Sequence, residues 1–161
     1  MFDGFVSESM LRGIVMESSL YERDFYAWTL EQCQLLKVGD FERLDIVNLV
    51  EEIESLGKQQ RRELEHRLGI LVGHLLKWDY QPEKRRKSWR AMINIQRREM
   101  MDGLEDNPSL KAYLGEAMIE AHESGLDLVV KETPLNYRDL PAAPIYTLEQ
   151  LLDPNFPDVL D

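Results

Sequence analysis

Between Leu64 and Trp78 the apolar side chains Leu64, Leu68, Leu71, Leu75 and Trp78 are spaced four, three, four and three residues apart. At 3.6 residues per turn this spacing lays them along one stripe of a single helix. Ile70, Val72 and Leu76 widen the stripe over the last two turns, until the helix is apolar on most sides. A helix of that kind belongs inside a bundle, with neighbours on more than one flank. The fold class read from the sequence is therefore all-α: an up-and-down helical bundle of four to five helices with a proline-punctuated C-terminal tail. A length of 161 residues is enough for one domain with its own core, here expected over residues 19–161.

The neighbours of this rod follow in chain order. Ser19 and Glu22 have the spacing of a capping box, opening a helix that runs to about residue 37 and ends before Gly39. Tyr21, Phe25, Trp28 and Leu35 recur near helical spacing and are expected to pack inward. Asp45 caps a second helix with the face Ile46, Leu49, Val50 and Ile53. Gly57 either ends that helix or sits inside it at a cost of about 1 kcal/mol. In the second case a single helix spans roughly residues 45–79. Pro82 stops the rod, and the run Lys84 to Lys87 reads as a loop. Ser88 is the expected cap of the next helix, whose stripe is Trp89, Ile93, Gln96, Met100 and Leu104. Gln96 lies mid-stripe, which predicts a buried amide with hydrogen-bond partners. Asn107-Pro108 marks another helix start, and Thr133-Pro134 its end. Leu110, Leu114, Ala117, Ala121, Ser124 and Leu128 share a face of that helix, and its small residues would let a neighbouring backbone come close. In the tail, Thr147 and Gln150 cap one helical turn. Residues 1–18 read as an N-terminal extension, with Met16 a candidate start.

Cys33 is the only cysteine, so no intrachain disulfide can form, and the usage is that of a reducing compartment, with cytoplasm the expected location. Its helical neighbours Trp28, Leu35 and Leu36 predict a buried, inert thiol. No apolar run approaches the roughly 20 residues of a membrane span, and no secretory leader is evident. The net charge of −11 argues against general nucleic-acid binding. That charge is unevenly spread. Residues 58–98 hold 12 basic and 4 acidic side chains, leaving 7 of the 19 basic and 26 of the 30 acidic residues elsewhere. Such asymmetry means either acidic segments folded against the basic one or a basic face kept for a partner.

Four blocks carry a family resemblance: EEIESLG at residues 51–57, HLLKWDYQPEKRRKSWR at 74–90, LEDNPSL at 104–110, and TLEQLLDPNF from Thr147. Together they resemble domain-of-unknown-function family 29, a set of nearly all-helical bacterial proteins abundant in cyanobacteria. The resemblance extends from about Leu20 to Phe156. It implies a helical fold and a start near Met16, and no activity, cofactor or catalytic residue.

The residues offer few chemical constellations. Di-metal bundle enzymes place Glu-x-x-His on two helices. Glu63 and His66 have that spacing once, but the matching second pair is missing, and His66 lies about 160° from the rod's stripe. His74 sits about 80° off the stripe, at the edge of the apolar face. With Glu51, Glu52 and Glu54 it could form a metal or acid–base site, so His74, Glu51 and Glu54 are the catalytic candidates. The plainer reading is a partly buried histidine bonded to a neighbouring helix, and a solvated acidic face. No phosphate-cradling glycine loop, nucleophile motif or cofactor motif is present. The strongest candidate is an anionic-partner surface of Lys84, Arg85, Arg86, Lys87, Arg90, Arg97 and Arg98, flanked by Trp78 and Trp89. Both tryptophans fall on core stripes, which weakens any base-stacking role.

These features favour a non-enzymatic protein-interaction module using a basic face. The alternative is a metal-dependent or nucleic-acid-directed enzyme with a His/Glu site. A protein partner is expected ahead of nucleic acid, and the opposed charges also allow pairing of two copies.

Overall fold

The computed structural model describes residues 18–157, and the candidate start at Met16 with the extension before it lies outside the described residues. Six α-helices follow in order: α1 (Leu20–Arg23), α2 (Phe25–Val38), α3 (Ile46–Tyr80), α4 (Lys87–Asp106), α5 (Leu114–Glu132) and α6 (Leu148–Leu152). Four are long and two are single turns, and no strand occurs among the described residues. The protein is an all-α helical bundle, as the leucine stripe requires. Gly57 does not interrupt α3, which runs unbroken for 35 residues. The described residues divide into two compact units, residues 18–54 and 55–157.

In the second unit the stripe is core. Leu64, Leu68, Leu71 and Leu75 are at most 5% exposed, as are Val72 and Leu76. They cluster with Ile93, Met100 and Leu104 of α4, with Leu114, Ala117, Ala121 and Val129 of α5, and with Leu140, Tyr146 and Leu151 of the tail. The tail thus contributes to the core, burying apolar surface between its prolines. Small residues bring α3 and α5 together. A Cβ on Gly125 would lie 2.8 Å from Val72 Cγ1 and 3.0 Å from the Gly73 nitrogen, and one on Gly69 would lie 2.9 Å from Ser124 Cβ. Two helix boundaries differ from expectation. Residues Arg85 and Arg86 are extended after the turn Pro82–Lys84, so α4 begins at Lys87 with Arg86 in the cap position, one residue before Ser88 can cap it. Asn107 turns its amide back to the Gly103 carbonyl at 3.3 Å, and a 3-10 stretch, Pro108–Tyr113, precedes α5.

The first unit is a helical hairpin. Asp24, extended at φ −152°, breaks the expected single helix, and its carboxylate accepts from the Ala27 N–H at 2.9 Å to cap α2. Gly39, at φ 75°, ends α2 in the left-handed region that favours glycine. Asp45 then ties the hairpin together. It accepts from the Trp28 indole N–H at 3.0 Å and from the Asn48 amide at 2.6 Å, while its own N–H donates to Gln32 Oε1 at 2.8 Å. Tyr21 donates its hydroxyl to Glu52 at 2.5 Å. Pairing 28 with 45 and 21 with 52 makes α2 and α3 antiparallel. Two expectations fail in this unit. Cys33 is exposed, because Trp28, Gln32 and Leu35 occupy the inner face of α2 and Cys33 lies about 135° around the helix from them. The face Ile46, Val50 and Ile53 is likewise half or more exposed, and Phe25 is 48% exposed despite stacking on Trp28.

Candidate functional site

The seven cations expected to hold an anionic partner separate into two groups. Arg85 is half-buried: its Nε donates to the Trp78 carbonyl at 2.9 Å and its guanidinium lies 5.0 Å from the Trp78 ring centre. Arg90 donates to the Pro157 carbonyl. Arg97 is buried, with Nε donating to the Leu151 carbonyl at 2.7 Å and Nη2 to the Phe156 carbonyl at 2.8 Å. Burial, and then the charge of Arg90, hold the Arg97 pKa below its ordinary value against the pull of Asp153. These three arginines fasten backbone: one the end of α3, two the C-terminal segment. Lys84, Arg86, Lys87 and Arg98 remain exposed. Arg98 opens with Asn94, Met101, Asp102 and Pro154 onto a shallow hollow of about 360 Å³.

The tryptophan rings beside this segment are already occupied. Trp78 carries Arg85, and Trp89 carries Lys77 at 4.9 Å and Arg86 at 5.9 Å from its centre. Lys77 was not singled out by its sequence position, which lies about 140° from the leucine stripe. It is nonetheless only 2% exposed, and its ammonium donates to Glu132 at 2.6 Å. The signal was available in Ile70, Val72 and Leu76: where a helix is apolar on most sides, a lysine within it is buried and needs a counter-charge. The hydrogen bond from Lys77 holds the Glu132 carboxyl below its usual range.

His74 sits one turn before Lys77 and is buried, its Nδ1 paired with the Ile70 carbonyl at 2.8 Å. Burial lowers its pKa first; Lys77 lowers it further, and the Ile70 carbonyl and Glu132 oppose both. Glu51 and Glu54 are exposed, and Glu52 is engaged by Tyr21. His74 lies 20 to 23 residues farther along the chain, in the second unit. His66 is exposed, and Glu63 pairs with Arg67 at 2.7 Å. His122 is buried, with Nε2 3.0 Å from the Pro141 carbonyl. Among the described residues no three His, Cys, Asp or Glu side chains converge as a metal centre needs.

Fold and site define a class: an all-helical protein whose polar residues fasten helix ends and tail inside and leave a small set of cations outside. The family model described as "Domain of unknown function DUF29" matches residues 20–157, and the chain belongs to that family. Comparison with curated proteins and with solved structures found no match. Among the described residues no helix is long and apolar enough to cross a membrane.

Proposed function

We propose that this protein is a non-enzymatic helical interaction module that docks an acidic surface of a partner protein through Lys84, Arg86, Lys87 and Arg98. One observation supports this reading over nucleic-acid binding. The rings that would stack on bases are covered by the chain's own cations, so the segment offers point charges without a stacking platform. An acidic protein surface requires only the charges. The enzymatic reading gains no support from exposed Glu51 and Glu54 or from a His74 buried with its Nδ1 on the Ile70 carbonyl.

The test is a titration followed by fluorescence anisotropy, with a short polyglutamate peptide and a single-stranded oligonucleotide as probes. The peptide should bind, weaken as salt rises, and be lost on combining Lys84→Glu with Lys87→Glu. Oligonucleotide binding as tight as peptide binding, or no salt-sensitive peptide binding, would refute the proposal.

A further inference from the structure

One flank of α4 meets the tail without filling the space between them. Asn94, Arg97, Arg98, Met101 and Asp102 follow at spacings of three, one, three and one, which places them along one side of the helix. With Pro154 of the tail they line the hollow of about 360 Å³ already noted beside Arg98. That volume falls within the roughly 300–1,000 Å³ of small-molecule sites. All six residues belong to the second unit.

Arg97 sets this hollow apart. It is 3% exposed, and the two acceptors it finds, the Leu151 and Phe156 carbonyls, are neutral. Its Nη1 is buried with no hydrogen-bond partner. A buried guanidinium held by carbonyls alone is short of a counter-charge, and desolvating a charge is offset only where one is supplied. Arg98, the next residue, is exposed on the same wall, as is Asn94. The charges add up the same way. Those of Arg90 and Asp153 are felt at Arg97, and Asp102 stands one turn beyond Arg98 on α4. Three cations against two carboxylates leave one positive charge over, which suits a ligand with a single negative charge and disfavours a dianion.

We infer that this hollow is a binding site for a small monocarboxylate with a compact apolar body. Arg98 and Asn94 donate to the carboxylate oxygens, and the fork of a guanidinium matches such a pair of oxygens. Arg97 supplies beside them the charge that its carbonyl partners leave uncompensated. The apolar body rests on Met101, which is 47% exposed, and on Pro154. A bare inorganic anion would leave that part of the wall uncovered. The site shares Arg98 with the docking surface proposed above and does not rest on that reading, since Arg97, Asn94 and Met101 play no part in it.

Isothermal titration calorimetry on the full chain tests this, with 3-methylbutanoate as the probe. One equivalent should bind saturably, and 3-methylbutanamide, the same body without the charge, should not bind. Arg98→Gln, at an exposed position, should weaken binding at least about tenfold, the loss expected with a charged hydrogen bond, and leave the helical circular dichroism unchanged. Lys84→Glu combined with Lys87→Glu should leave the affinity as it is, which separates a failure here from a failure of the docking surface. Absence of saturable binding up to about 10 mM overturns the inference. So does inorganic phosphate binding as tightly as the carboxylate, which would make the hollow a general anion site, or an Arg98→Gln variant that binds like the native chain. Should Arg98→Gln lose helicity, Met101→Glu decides, since it sets a like charge against the ligand at an exposed position. Loss of binding in that variant supports the site, and native affinity overturns it.

Discussion

Lys77 shows what a single residue is asked to do in this core. An ammonium 2% exposed has given up its water, and Glu132 at 2.6 Å and the Trp89 ring replace it. Glu132 remains 47% exposed, so the two partners are not equivalent. Removing the carboxylate leaves a buried charge unpaired; removing the ammonium leaves an acid that solvent can serve. Glu132→Ala should therefore cost toward the lower end of ~3–5 kcal/mol, whereas Lys77→Met should fall within about 1 kcal/mol of wild type. Urea denaturation of the two variants checks the asymmetry; equal losses would mean that the charge is hydrated in the fold. At this scale the sequence was only partly legible. Gln96 was readable as a buried amide, and it does pair with Arg67 at 3.4 Å and with Met92 Sδ at 3.4 Å. Lys77 was legible only indirectly: its own position on the wheel points away from the stripe, and the signal lies in Ile70, Val72 and Leu76, which make the helix apolar on most sides.

At the scale of the element, α3 meets α5 through glycine and alanine. Gly125 has no room for a methyl group, since its Cβ would fall 2.8 Å from Val72 Cγ1 and 3.0 Å from the Gly73 backbone. Gly57, in the same long helix as Gly73, has nothing within 4 Å of a Cβ. The same substitution should consequently act with opposite sign. Gly125→Ala should cost about 1–3 kcal/mol by overpacking, and Gly57→Ala should gain up to about 1 kcal/mol from helix propensity alone. Thermal melting of both variants measures the contrast, and two shifts of the same sign would contradict it. The close approach was legible in Ala117, Ala121 and Ser124, as was the C-terminal capping box at Thr147. The break at Asp24 was hidden, because the Ser19–Glu22 box and the aromatic spacing describe one continuous helix equally well. The exposure of Cys33 and of Ile46, Val50 and Ile53 was hidden for another reason. Periodicity tells which residues share a face, and says nothing of whether the chain itself supplies a cover for it.

For the whole molecule, the uneven charge and the uneven burial have separate consequences. The basic segment divides into arginines that fasten backbone and cations left to solvent, so the outward positive surface is smaller than the sequence count suggests. The long helix α3 divides likewise, its residues 68–77 buried almost continuously and its residues 53–63 exposed throughout. That contrast along one helix separates the part that holds the core together from the part left to solvent. Hydrogen exchange along α3 tests it most directly. Amides of residues 68–77 should exchange last, on global unfolding alone, and those of residues 47–58 well before them through local opening. Uniform protection along the helix, or faster exchange in residues 68–77, would contradict the account.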